Sequence, residues 1–190
     1  MPDLALAAFR ILGVRLLLLA VAALSLAACG QQATSDESAW VTYRDSGRGL
    51  SVRYPADWHR AETRLAPILG DPVEILSLGT YPLRAGSPRC NNFPVRALED
   101  FRSTDAFISI QERAHPVPAE LHPPPGPFAP PTEAHTGRFC IPDDNRLDDW
   151  LTFGINGRGF YAIVAIGDQA PEETREELRE TLNSLQFDPR

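Results

Sequence analysis

Trp150-Leu151-Thr152-Phe153-Gly154-Ile155-Asn156-Gly157-Arg158-Gly159-Phe160-Tyr161-Ala162-Ile163-Val164-Ala165-Ile166 carries the strongest structural signal in the chain. Two apolar runs, Trp150 to Ile155 and Phe160 to Ile166, flank Asn156-Gly157-Arg158-Gly159. Asn-Gly and Gly-rich pairs close tight β-hairpins because their central residues must adopt positive φ, which Gly and Asn tolerate. Two registers fit, with Asn156-Gly157 or Gly157-Arg158 at the tip. In either one Phe160 shares a face with Leu151, Phe153 and Ile155. A hairpin is antiparallel, so the sheet it belongs to is expected to be antiparallel as well.

Downstream, Pro171 opens a helix with Glu172 and Glu173 in the first turn, where carboxylates meet the positive end of the dipole. Leu178, Leu182 and Leu185 form an apolar stripe that needs a sheet to cover. Gln186-Phe187 then ends the fold as a short strand or tail. Upstream, Trp40 to Tyr43 and Leu50 to Tyr54 alternate around a turn at Asp45 to Gly49, a second hairpin that Pro55 stops. Asp57-Trp58 is expected at a corner with its indole folded onto the core. Val73 to Tyr81 and Ala106 to Glu112 read as further strands, and the former is expected in the sheet interior. Pro94 to Phe101 reads as a short helix with Val95, Leu98 and Phe101 at helical spacing. Between Pro116 and Pro131, 8 of 16 residues are proline, so the 115–135 excursion is expected to be polyproline-like or irregular. The elements predict an α+β domain over 40–190, an antiparallel sheet with covering helices.

The other end of the chain decides where this domain resides. Arg10 and Arg15 precede an apolar run, Leu16 to Ala28, which small residues close. That is the build of a secretory signal over residues 1–28. Leu26-Ala27-Ala28-Cys29 resembles the bacterial lipobox, whose Cys receives a diacylglyceryl group and becomes the new N-terminus. Two acyl chains anchor a protein stably where one does not. The competing reading is a permanent membrane helix over residues 11–28; no basic stop-transfer cluster after Gly30 supports it. Both put everything after Gly30 outside the cytoplasm, anchored at the membrane. Residues 29–39, small and polar, are expected to act as a flexible tether.

Composition narrows the partners. The chain has 18 basic residues, all Arg, and 25 acidic ones, a net charge of −7; removing Asp3, Arg10 and Arg15 with the signal leaves 16 against 24, or −8. That balance argues against nucleic acid and anionic headgroup surfaces. An Arg-for-Lys bias this complete looks like GC-rich codon usage, which discounts single arginines as evidence of a site. With Cys29 lipidated, Cys90 and Cys140 remain as an even pair in an oxidising compartment, and a disulfide is expected. Two buried free thiols or a catalytic Cys are the alternatives. Closing that loop of about 50 residues contributes roughly 4 kcal/mol on the chain-entropy model.

Signals for chemistry are few. His59, His115, His122 and His135 lack metal-ligand spacing and read as exposed loop residues. Asp143-Asp144-Asn145 and Asp148-Asp149 do not match a calcium loop and read as a solvated acidic turn. No nucleophile elbow, Ser-x-x-Lys or Cys-His pattern occurs. No catalytic residue, metal or cofactor is therefore expected. Among the aromatic residues Trp58, Tyr81, Trp150 and Tyr161, the last two are the binding candidates, set against their use as core.

A strand running into Tyr54-Pro55-Ala56-Asp57-Trp58, and a terminal helix ending Leu182-Asn183-Ser184-Leu185-Gln186-Phe187, resemble the PsbP-like fold of many bacterial lipoproteins, the Lpq-type lipoproteins of actinobacteria in particular. The likeness covers most of residues 40–187 as an element order, and its motifs are structural. It implies a sandwich without a general catalytic signature. The Pro-rich excursion and the Cys90–Cys140 pair depart from it. Together the readings imply an envelope lipoprotein acting as a non-catalytic binding or accessory module, with a small lipid, a sugar or another envelope protein as partner. The alternative is an envelope hydrolase with a Ser/His/Asp site assembled in space.

Overall fold

A computed structural model describes residues 40–66, 70–86, 93–114, 127–132 and 146–189. Cys29, Cys90 and Cys140, the signal and tether, most of the Pro-rich excursion, His115, His122, His135 and Asp143-Asp144-Asn145 lie outside the described residues. Among the described residues no helix is long and apolar enough to cross a membrane.

The C-terminal hairpin forms as β6 (Arg146–Ile155) and β7 (Arg158–Gly167), and it takes the first of the two registers. Ile155 faces Arg158 and Phe153 faces Phe160, which leaves Asn156-Gly157 at the tip with φ of 52° and 74°. Both central residues are thus left-handed, the geometry that matches strand twist. Asn156 Nδ2 also donates to Phe187 O at 2.8 Å, tying the turn to the end of the fold.

β6 begins four residues before the expected strand, and this corrects the reading of Asp148-Asp149 as a solvated turn. Both lie within the strand; Asp148 is 0% exposed and Asp149 half-buried. Arg146 Nε lies 3.2 Å from Asp148 Oδ2, so neither charge is buried alone. A local charge pattern does not reveal such a pair, because residues two apart meet on one face only once the strand exists.

The remaining strands are β1 (Trp40–Asp45), β2 (Leu50–Pro55), β3 (His59–Arg60), β4 (Val73–Gly79), β5 (Ala106–Arg113) and β8 (Gln186–Phe187). They build two antiparallel sheets among the described residues, β1-β2-β8 and β3-β4-β5-β7-β6, where one had been expected. The difference comes from β8, which pairs Leu50 with Phe187 and Ser51 with Gln186 and so draws the N-terminal hairpin into a sheet of its own. β4 stays interior, as its apolar run implies.

Helix α1 (Val95–Glu99) is shorter than the Pro94–Phe101 candidate; Asp100 caps it and pairs with Arg84, which holds the Asp100 carboxyl below its usual range. Helix α2 (Glu172–Asn183) follows Pro171, buries Leu178 and Leu182, and packs against β2 and β5. The fold class is α+β.

Period-two alternation splits the core between the two faces of the larger sheet. Ile108, Ile110, Phe160, Ala162 and Val164 join Leu50, Val52 and Leu178 on the face toward the small sheet and α2. Phe107, Ile163 and Ala165 join Leu65, Tyr81 and α1 on the other. Trp58 lies in the first cluster, as its corner position implied, and its Nε1 donates to Glu177 Oε2 at 3.3 Å.

Glu177 yields a pH-dependent expectation. Desolvation raises its carboxyl above the ordinary value, the Trp58 hydrogen bond opposes this, and Asp57, Glu173 and Glu180 add to the rise. A carboxyl raised in the folded state favours folding below its unfolded pKa of ~4.3, and that contribution is lost as pH rises through the folded value. Glu177→Gln, which keeps an oxygen for the indole, is therefore expected to have a higher Tm than the natural protein at pH 7. The gap should close toward pH 4; a constant gap, or none at pH 7, contradicts this.

Candidate functional site

The site builds from strand ends. Glu112 and Arg113 close β5, Val73 opens β4, and Arg158 opens β7 beside the Asn156-Gly157 tip. The β1–β2 turn brings Arg48 to the same end of the sheet. Its amide donates to Asp45 O and Oδ1 at 3.2 and 3.0 Å. Gly49 takes a φ of 61°, and its carbonyl accepts the Asp188 amide at 2.7 Å.

These ends enclose a cleft of about 290 Å³ that Arg48, Val73, Glu112, Arg113 and Arg158 line. Arg158 follows the parity of Phe160 and so points toward the core, where a charge needs a partner. Its Nε lies 2.8 Å from Glu112 Oε1, and Arg48 Nη1 lies 3.7 Å from Glu112 Oε2. The Arg158 guanidinium sits 4.9 Å from the Phe160 ring centre and 5.6 Å from that of Phe187, within cation–π range.

A second cleft of about 180 Å³ shares Arg48 and adds Arg60, Arg64, Glu62, Glu74 and Ser77. Glu74 belongs here because of a β-bulge between Glu74 and Leu76. The extra residue shifts Glu74 to the face of Ser77, whose hydroxyl donates to Glu74 Oε1 at 2.6 Å and lies 2.9 Å from Ser109 Oγ. The Ala66 amide donates to the other carboxylate oxygen at 2.9 Å, which satisfies the buried charge. Five arginines and three glutamates thus border the two clefts of a chain whose net charge is −7.

The aromatic candidates divide. Trp150 and Tyr161 come together on the far face of the large sheet, with ring centres 5.1 Å apart and edge to face. Phe93 packs 5.2 Å from Trp150, and the Arg113 guanidinium lies 5.7 Å from the Tyr161 ring centre. Trp150 Nε1 is buried without an acceptor. Tyr81 is structural: its hydroxyl donates to Ala97 O at 2.9 Å, fastening α1 to the sheet. Burial pushes its phenol far above the usual tyrosine range, and Asp105 and Asp100 add to the rise.

His59 is exposed on β3, while Ser77, whose hydroxyl is bonded to the Glu74 carboxylate, is buried. Among the described residues no three His, Cys, Asp or Glu side chains are placed to hold a metal ion.

Sequence reasoning passed over Arg48 and Arg158, because a global arginine bias discounts each one, and Glu112, because it reads as the ordinary end of a strand. One signal was present: once the tip is Asn156-Gly157, Arg158 is a charge at a core-facing position. No protein-family model matches this chain, and no curated protein matches it in sequence.

Proposed function

We propose that this protein is an exported lipoprotein, held at the cell membrane by diacylglycerol on Cys29, whose α+β domain serves as a non-catalytic binding or accessory module of the cell envelope. The observation that carries the proposal is Leu26-Ala27-Ala28-Cys29 at the end of an apolar signal segment. Within the polar tether over 29–39, residues 30–38 give the domain reach, roughly 15–18 Å for nine flexible residues. Element order supports a PsbP-like sandwich, and the Cys90–Cys140 disulfide belongs to the same reading of an oxidising compartment. Ligand binding draws support from the arginine-lined clefts and from the adjoining Trp150 and Tyr161 rings. A small ligand or another envelope protein is the partner class, with the Pro-rich stretch as a further partner surface.

Cys29→Ser tests the anchor. Mass spectrometry of the natural protein extracted from membranes is expected to show a diacylglyceryl adduct at Cys29 and loss of residues 1–28. The variant is expected in the aqueous phase of a detergent partition, or as an uncleaved precursor. A natural protein without an adduct, or a variant that partitions unchanged, overturns the assignment.

A further inference from the structure

The outward side of the small sheet carries its own chemistry. Leu50 and Val52 of β2 face the core, and Tyr43 of β1, which pairs with Val52, packs against it. Paired residues share a side of the sheet, and neighbours along a strand alternate. Trp40, Thr42 and Arg44 therefore point away from the core, together with Ser51 and Arg53, the partners of Arg44 and Thr42. Thr42, Arg44 and Arg53 are exposed, and the Arg53 guanidinium lies 5.6 Å from the Trp40 ring centre. No outward position of β1 or β2 holds an acidic residue. The exposed side of α2 is the opposite case, with Glu172, Glu173, Glu176 and Glu180 in solvent.

The chain enters this side directly from its proposed anchor. Trp40 opens β1, immediately after the tether that starts at Cys29. The tether reaches roughly 15–18 Å. From Trp40 to Asp45 the strand runs about 17 Å at ~3.4 Å per residue. A sheet side of that length can lie along the membrane without stretching the tether. Its side chains suit that surface. An indole joins a large apolar face to an N–H donor and collects at membrane–water interfaces. A guanidinium bonds phosphate oxygens through paired N–H groups. The net charge of −7, and Asp36 and Glu37 in the tether, give the chain no overall attraction to anionic headgroups. None is required, because a short linker holds the domain at about millimolar effective concentration, where weak contacts suffice.

We propose that the outward side of β1 and β2, centred on Trp40, Arg44 and Arg53, is the membrane-facing surface of the domain and rests on phospholipid headgroups. The Trp40 indole enters the interface, and Arg44 and Arg53 donate to phosphate oxygens. This inference rests on the lipoprotein reading and gives the anchored domain its orientation.

Tryptophan fluorescence of the membrane-extracted protein, reconstituted into phosphatidylcholine vesicles, tests it. One set of vesicles carries acyl chains brominated near the headgroup, which quench an indole only at short range, and a matched set does not. Bromine-dependent quenching of the natural protein is expected, and Trp40→Phe should abolish most of it, since Trp58 is buried in the core. Arg44→Gln with Arg53→Gln, both at exposed positions, is expected to reduce the quenching at least twofold. Circular dichroism checks each fold; should Trp40→Phe fail it, the arginine double variant decides. No bromine-dependent quenching, or quenching that the folded variants leave unchanged, overturns the membrane-facing side. Emission that responds to protein concentration and not to bromine assigns the side to a second copy of the chain, and overturns the proposal as well. Mass spectrometry reads the Cys29 adduct in the same sample. A protein that carries the adduct without Trp40 quenching overturns this orientation alone, and one without the adduct overturns the anchor and the orientation with it.

Discussion

Gly167→Ala is expected to lower Tm by at least 6 °C, which corresponds to about 3 kcal/mol at ~2–4 °C per kcal/mol for a chain of this size. The cause is steric and lies in the backbone. A Cβ on Gly167 would meet Ser103 O at 1.9 Å, Ser103 C at 2.2 Å and Thr104 N at 2.8 Å. None of these atoms belongs to a side chain that can swing aside. The loop is also held in place, since Gly167 N donates to Asp105 O at 2.7 Å and Gln169 N to Ser103 O at 2.9 Å. Relief therefore requires parting β7 from the loop that leads into β5. Thermal unfolding followed by far-ultraviolet circular dichroism measures the effect. Gly70→Ala, with nothing within 4 Å of the added atom, is the matched control and should move Tm little in either direction. Equal melting of the two variants would refute the close approach at Gly167.

Phe160→Ala is expected to cost about 3–5 kcal/mol, or roughly 6–20 °C in Tm. Phe160 is fully buried, with ring centres of Phe187 and Phe153 at 4.1 and 5.4 Å. Its removal leaves a cavity at the point where β7, β6 and β8 meet, and the three elements cannot all collapse into it. It also strips one ring face from the Arg158 guanidinium 4.9 Å away. Val41→Ala, at an exposed position, is expected to lie within about 0.5 kcal/mol of the natural protein. A Phe160→Ala protein that melts with the Val41→Ala control would show that these rings are not the joint of the core.

The elements legible in sequence are those whose signals are local. The Asn156-Gly157 turn, the alternation along β2 and β5, and the Leu178–Leu182 stripe each act within one turn or one strand. Their period and capping residues suffice to place them. The site was harder to read because its three principal residues come from a turn, the end of one strand and the start of another. Glu112 and Arg158 are 46 residues apart, and no spacing rule links them. Arg48 looks like an ordinary turn residue until the fold brings its Nη1 within 3.7 Å of Glu112.

By itself, the sequence determined the hairpins, the α+β class, the terminal helix with its buried face, and the expectation of an export signal with a lipidated Cys29. Each follows from side-chain period, φ preference or hydrophobicity along a short stretch of chain. Only the tertiary structure decided that the strands divide into two sheets, since the pairing of Leu50 with Phe187 joins opposite ends of the domain. It alone placed Asp148 in a strand, shifted Glu74 across a bulge and gathered Arg48, Glu112 and Arg158 around a cleft. Those outcomes depend on which distant segments share a face. Burial energy selects that arrangement for the whole core at once, and no single segment carries a record of it.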